Sequence, residues 1–285
     1  MEKKVYPALK NSIFLCLLLL GIQIVFFYSY PILLHAFDLS NNSFLNDIMT
    51  ILGALISFGM VLCIGLGKTK KTFNEVFKFN GITPALWIAT VIFTVGLIIL
   101  IPIPNNVIRI FIPTQPISES FKEGFDSTVK SSFTLAVITI VIIAPIAEEL
   151  LFRGLILDGL KNNYSKRKAI IISSLLFGAI HFNLQQFTSA FIIGLFAAWI
   201  CINTNSILLC IFIHFFNNIL YTITVRYGSI IPMTEDYQRL LYLLAGIVLF
   251  ISGIILLKKE FGKAKIAPDG FLNTQRLLTV QASFE

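Results

Sequence analysis

The feature that most constrains the fold of this sequence is a series of apolar runs, many about 18 residues long or longer. An apolar run of about 20 residues can cross the roughly 30 Å hydrocarbon core of a bilayer as an α-helix. The chain has 285 residues, of which 56% are hydrophobic and only 13% are charged, whereas soluble domains carry about 25% charged residues. Because a segment in lipid must satisfy its own backbone hydrogen bonds, helices are favoured. The sequence therefore predicts an all-α, polytopic transmembrane bundle and excludes a soluble domain.

Eight spans are expected, and they divide the chain into three parts. Residues 1–130 form three spans and an outer loop, residues 131–225 form a core of four spans, and residues 226–285 form a last span with a basic tail. The predicted spans are Ile13–Phe37, Phe44–Gly67, Pro84–Ile103, Ser131–Leu160, Ala169–Phe182, Phe187–Ile202, Ile207–Val225 and Leu240–Leu257. The first is expected to be an uncleaved span, because its apolar run is too long for a signal peptide.

The connections are predicted to be short, except for Asn105–Lys130. That connection is mixed in charge and is interrupted by Pro113 and Pro116, and its Val107–Ile112 piece is expected to lie in the membrane interface.

The distribution of positive charge predicts the orientation of the spans. An even number of spans places both termini on one side, and 17 of the 22 Lys and Arg residues fall on that side. The positive-inside rule then assigns this side to the cytoplasm. The opposite side carries most of the loop acids, namely Asp38, Asp47, Glu119, Glu123, Asp126, Glu235 and Asp236. Short connections favour an integral, multi-pass protein of a bacterial plasma membrane.

Three charges interrupt the fourth predicted span. Glu148, Glu149 and Arg153 lie within six residues, and each charge at the centre of a spanning helix costs roughly 2.5–3.5 kcal/mol on insertion scales. Such groups persist where they face a protein interior or a wet cavity, which makes a function the default hypothesis. Arg153 follows Glu149 by four residues and is expected to pair with it. Glu148 points about 100° away from Glu149 and is expected to face a cavity.

Two other predicted spans carry polar side chains at a similar depth. At about 1.5 Å per residue, Glu148 and His181 each lie about 20 Å from the basic end of their span, and His214 lies about 14 Å from its own, with Asn218 one turn deeper. Any one of these residues has a structural explanation, as an interhelical hydrogen bond or a buried pair that sets registry. Phe177, one turn before His181, is expected to pack rather than react. The convergence of depth is what favours a shared site.

The side-chain chemistry of this set leaves three kinds of function open. A carboxylate and an imidazole can activate water, while a second imidazole and an amide can stabilise an oxyanion, which suffices for amide hydrolysis. Glu148, His181 and His214 could instead hold a divalent metal such as zinc. The same groups could titrate in a proton- or ion-coupled transporter, although no inverted repeat is seen.

Three motifs in this segment resemble those of the CAAX protease and bacteriocin-processing family of intramembrane proteases, also called the ABI or CPBP family. They are Glu148-Glu149-Leu-Leu-Phe-Arg153, Phe177-Gly-Ala-Ile-His181 and His214-Phe-Phe-Asn-Asn218, in order and in separate predicted spans. The resemblance covers about Ser131–Val225.

The resemblance implies a role for each matching residue. Glu148 and His181 would activate the attacking water, His214 and Asn218 would stabilise the oxyanion, and Glu149, Arg153 and Phe177 would support the site. Family members are labelled metalloproteases or assigned a metal-free glutamate mechanism. The implied partners are the lipid bilayer and a membrane-anchored or lipidated peptide or protein, with no nucleic acid. A non-catalytic self-immunity or scaffold protein is the remaining alternative within the family.

Overall fold

The computed structural model describes residues 5–112, 116–228 and 236–266, and nearly all of these residues are helical. Seven of the described helices are long and apolar enough to cross a membrane, which confirms the predicted all-α, multi-span class. The helices, numbered in chain order, are α1 Leu9–Ala36, α2 Ser43–Thr69, α3 Phe73–Val76, α4 Pro84–Leu100, α5 Pro102–Phe111, α6 Pro116–Ser131, α7 Phe133–Asn163, α8 Lys166–Ala179, α9 Leu184–Thr204, α10 Leu208–Tyr227 and α11 Asp236–Ile266. The predicted tail beyond Ile266 and the loop acid Glu235 lie outside the described residues.

The long connection between the third and fourth spans is more ordered than the sequence predicted. It forms two further helices, α5 and α6, and each begins at a proline. Proline suits the first turn of a helix because a backbone N–H at that position would have no partner within the helix. Ile110 and Phe111 of α5 are 76% and 77% exposed. The candidate span that contains α4 continues to Ile108, and the interfacial position of the Val107–Ile112 piece stays a prediction.

Helix α8, Lys166–Ala179, begins and ends three residues before the span expected at Ala169–Phe182. It has 14 residues and ends at Ala179, so it is only about 21 Å long. Phe182 then adopts a left-handed backbone with φ of 51°. Asn183 caps the next helix by accepting hydrogen bonds from the N–H groups of Gln185 and Gln186 at 3.0 and 3.2 Å. This N-cap ends the predicted span early, and His181 consequently lies in a turn rather than inside a helix.

Hydrogen bonds between the connections show which of them lie at the same end of the bundle. At one end, Asn163 bonds the backbone of Val5 in both directions at 3.0 and 2.7 Å, and the carbonyl of Lys78 accepts from Ile207 at 2.9 Å. At the other end, Ser132 donates to Asp47 at 3.2 Å. The first group comprises connections predicted to be cytoplasmic, and the second comprises connections predicted to lie on the opposite side. The predicted sorting of these connections into two sides therefore holds.

Helix α7 occupies the middle of the larger core and departs twice from regular α-geometry. Its segments Val137–Ile143 and Leu150–Ile156 are π-helical, a form that occurs mostly as short bulges and often at functional sites. Between them lies the α-helical segment Ala144–Glu149. Every residue from Leu151 to Leu160 is buried. Of the charged residues of the first motif, Glu149 and Arg153 are buried and Glu148 is partly buried.

Candidate active site

Glu149 and Arg153 form a completely enclosed ion pair on α7. Arg153 Nη1 lies 3.0 Å from Glu149 Oε1, and both side chains are 0% exposed. The i,i+4 spacing places the two side chains on one helix face, as the sequence predicted. Burial of each charge is tolerated because the partner lies within hydrogen-bond distance. Arg153 Nε and Nη2 make no hydrogen bond, so the guanidinium still has unused donors.

His214 of α10 lies between the two glutamates of α7. Its Nδ1 is 3.1 Å from Glu149 Oε1, and its Nε2 is 3.9 Å from Glu148 Oε2. A carboxylate oxygen can only accept, so the Nδ1 of His214 carries a proton in this contact. Glu149 therefore binds Arg153 and His214 with one oxygen, and it fixes the orientation of the imidazole.

Glu148 is the carboxylate left without a strong partner. Its side chain is 13% exposed, and its Oε2 atom is buried without a hydrogen bond. The distance of 3.9 Å to His214 Nε2 is too long for a direct hydrogen bond. A polar gap of this size can be bridged by one water molecule that bonds both groups. The arrangement matches the expectation that Glu149, rather than Glu148, pairs with Arg153.

His181 lies immediately after α8 and is half-buried. Its Nδ1 is 2.9 Å from the carbonyl oxygen of Phe177, one of the last helix carbonyls, which have no partner within the helix. A carbonyl is an acceptor only, so Nδ1 of His181 is the donor in this bond. In the neutral ring, Nε2 then keeps its lone pair and can take a proton. Among the described residues, His181 has no hydrogen bond to either glutamate.

The side chain of Asn218 bonds the backbone carbonyl of Ile140, which has no N–H partner within its own helix. The N–H of Ala144 bonds Thr139, five residues back, and Pro145, five residues after Ile140, has no N–H. The Ile140 carbonyl accepts instead from Asn218 Nδ2 at 2.8 Å. The Asn218 amide has a second N–H, which remains for another acceptor.

Phe177 is the common neighbour of the charged and imidazole groups. Its ring centroid is 4.3 Å from Arg153 Cζ, and it lies 5.4 and 5.5 Å from the rings of His181 and His214. Phe177 is 1% exposed, so this cation–π contact is shielded from water and is worth about 2 kcal/mol. The expectation that Phe177 packs agrees with these contacts, which join all three motifs.

The described residues do not fit the predicted metal option. Within them, no group of three His, Cys, Asp or Glu side chains is arranged to hold a metal ion. Glu148, His181 and His214 were the ligands expected if a metal were bound, and they do not form such a group. No step proposed below passes through a metal.

Two features of this region were not expected from the sequence. One is the bond from Asn218 to the Ile140 carbonyl, which is free because Pro145 has no N–H. A proline inside an apolar span was the sequence signal for it. The other is Asp158 of α7, which is buried and bridges Lys71 and Lys161 at 2.7 and 2.8 Å. Its i,i+3 spacing to Lys161 was visible in the sequence, but the contact with Lys71 depends on the tertiary fold.

Comparison with known families agrees with the motifs. Residues 130–220 match the protein-family model described as type II CAAX prenyl endopeptidase Rce1-like. The matched segment contains all three motifs, which confirms the family resemblance for this part of the chain. At the level of the family, the match supports a CAAX-type intramembrane protease, and the apolar helices indicate an integral multi-pass membrane protein. No curated protein and no solved structure matches the chain.

Proposed function

We propose that this chain is an intramembrane endopeptidase that hydrolyses a peptide bond of a membrane-associated protein or peptide. The single observation that carries the proposal is the unpaired, buried Oε2 of Glu148, 3.9 Å from His214 Nε2. A carboxylate that is buried without a partner is destabilised unless it binds something. A water molecule bound there would lie next to a base, which is the arrangement that hydrolysis requires.

Glu148 and His181 are proposed to activate this water. As the water oxygen attacks the substrate carbonyl carbon, its proton passes to Glu148, or to the lone pair of His181 Nε2. Collapse of the tetrahedral intermediate breaks the carbon–nitrogen bond, and the same proton is returned to the leaving amine. The role of His181 is supported by the bond from its Nδ1 to the Phe177 carbonyl at 2.9 Å, which leaves Nε2 as the basic nitrogen.

His214 and Asn218 are proposed to stabilise the oxyanion of that intermediate. The two nitrogens of His214 face carboxylate oxygens at 3.1 and 3.9 Å. With a proton on Nε2, His214 and the second N–H of Asn218 would be donors toward the developing negative charge. Removal of one such donor typically lowers a rate constant by about 10²- to 10³-fold.

The substrate class follows from the family. The matched family is described as a type II CAAX prenyl endopeptidase, so a lipid-anchored peptide is the proposed substrate. The predicted location is a bacterial plasma membrane.

Cleavage of membrane-anchored peptides by the purified full-length protein in liposomes tests the proposal. The library contains peptides with and without a prenyl group, and cleavage is measured by mass spectrometry. Glu148→Gln keeps the shape of the side chain but removes the base, so we expect cleavage to fall by at least about 10²-fold. Glu260→Gln is the matched control, because Glu260 pairs with Lys263 at 2.6 Å near the end of α11, and it should cleave normally.

The result also separates the protease from the transporter. If the wild type cleaves no peptide while an ion gradient drives a flux that Glu148→Gln abolishes, the protease proposal is wrong. Equal cleavage by the wild type and Glu148→Gln would refute the assignment of the base.

A further inference from the structure

A groove on the outside of the bundle lies between α8, α9 and α11, at the opposite end of α8 from His181. It has a volume of about 460 Å³, which falls in the range of ligand-sized clefts. Helix α9 forms the floor with Leu195 and Trp199, while Ile170 and Ile171 of α8 and Ile254 of α11 form the walls. An apolar groove in a lipid-facing position needs an apolar occupant.

Two cations stand at one end of this groove. Arg167 of α8 and Lys258 of α11 both line it and both are exposed. Neither forms an ion pair with an acid among the described residues, and the nearby Glu260 is already bonded to Lys263 at 2.6 Å. The rim of the groove is therefore a positive site with no counter-charge in the part of the chain that the structure describes.

Arg167 and Lys258 lie at the same distance along their helices from the apolar walls of the groove. Ile170 and Ile171 follow Arg167 by three and four residues, and Ile254 precedes Lys258 by four, so on each helix the apolar wall lies about one turn from the cation. Both cations belong to segments that the positive-inside rule assigns to the cytoplasmic side. The groove thus has a charged end at the cytoplasmic interface and an apolar body directed into the membrane.

We propose that this groove binds an anionic phospholipid of the cytoplasmic leaflet. The phosphate of its headgroup would lie between Arg167 and Lys258, and an acyl chain would run along Trp199 toward the membrane interior. The charge complementarity fits because anionic lipids are concentrated in that leaflet and bind basic pockets between transmembrane helices. The site is separate from the proposed active site and does not depend on the proposed reaction.

Quenching of Trp199 fluorescence by brominated lipid tests this proposal directly. The chain contains two tryptophans, so a Trp87→Phe variant leaves Trp199 as the sole reporter in the groove. The protein is reconstituted into phosphatidylcholine vesicles that contain a minor share of phosphatidylglycerol. In one set the phosphatidylglycerol is brominated, and in the other an equal amount of phosphatidylcholine is brominated, so the charge of the two membranes is the same.

We expect brominated phosphatidylglycerol to quench Trp199 more strongly than an equal amount of brominated phosphatidylcholine. Neutralising both cations, in Arg167→Gln with Lys258→Gln, should lower the relative affinity for phosphatidylglycerol by about 10- to 30-fold. The matched control is Lys68→Gln with Lys259→Gln, which removes the same charge from the same side without altering a groove residue. This control should keep the preference, as should Arg167→Lys with Lys258→Arg.

Several outcomes would overturn the proposal. Equal quenching by the two brominated lipids in the wild type would show that the groove takes any acyl chain. An unchanged preference in the double Gln variant would show that the two cations do not hold the headgroup. Relief of the phosphatidylglycerol quenching by a prenylated peptide would assign the groove to substrate instead.

Discussion

Replacement of Arg153 by methionine would break the enclosed ion pair of α7. Both side chains are 0% exposed and their nearest atoms are 3.0 Å apart, so no water can solvate the Glu149 carboxylate when its partner is removed. Removing one member of a buried pair typically costs about 3–5 kcal/mol, because an uncompensated charge stays behind. His214 also bonds Glu149 at 3.1 Å and offsets part of this loss. We therefore expect Arg153→Met to lower the free energy of unfolding by about 3 kcal/mol.

A double-mutant cycle isolates the ion pair from the packing of the two side chains. Glu149→Gln with Arg153→Met removes both charges, and such double replacements are often neutral or even stabilising. We expect the double variant to be less destabilised than the sum of the single variants by at least about 2 kcal/mol. Unfolding of the purified protein in mixed micelles, followed by tryptophan fluorescence, gives the four free energies.

A second pair on the same helix provides the control. Lys161 and Asp158 lie 2.8 Å apart, but the side chain of Lys161 is 28% exposed. Asp158 is buried but keeps its contact with Lys71 at 2.7 Å when Lys161 is replaced, so Lys161→Met should cost no more than about 1 kcal/mol. The reasoning would be refuted if Arg153→Met cost no more than Lys161→Met, or if the effects of the two replacements in the cycle simply added.

Three further substitutions test the packing around the site. Pro145→Ala restores a backbone N–H that competes with Asn218 for the Ile140 carbonyl. We therefore expect kcat of peptide cleavage to fall by about 10- to 100-fold while KM stays nearly constant. An unchanged kcat would contradict the positioning role. Phe177→Leu removes the buried cation–π contact and should lower the free energy of unfolding by about 2 kcal/mol in the same micelle assay, and a loss near zero would mean that the ring only fills space. Gly159→Ala would place its Cβ against the backbone carbonyl oxygen of Pro7, in the segment before α1, and should destabilise by about 1–3 kcal/mol. Gly262→Ala, with nothing within 4 Å of its Cβ, should not destabilise the protein.

The enclosed pair also explains why a membrane helix can hold so much charge. Glu149 and Arg153 neutralise each other within one helix, and Phe177 covers the guanidinium at 4.3 Å. Glu148 is not part of this compensation. Its Oε2 has no hydrogen-bond partner, and under the proposed function this carboxylate is the base while Glu149 takes the structural role.

Much of the fold followed from the sequence because a bilayer restricts the possible structures. Apolar runs of spanning length must be helices in lipid, and the basic loops sort the connections into two sides. The pairing of Glu149 with Arg153 was equally predictable, since residues four apart share a helix face whatever the rest of the protein does. The three motifs likewise indicated the family through local spacing alone.

The tertiary structure decided which side chains meet across helices. The sequence placed His181 inside a span, but the N-cap at Asn183 ends α8 early and leaves the imidazole in a turn. It grouped Glu148 with His181, His214 and Asn218 by depth alone, and the structure shows that the His214 imidazole lies 3.9 Å from Glu148. Periodicity along one helix does not specify the rotation of its neighbours, because that rotation depends on packing between side chains far apart in the chain. For the same reason, the bond from Asn218 to the Ile140 carbonyl at 2.8 Å became visible only in three dimensions.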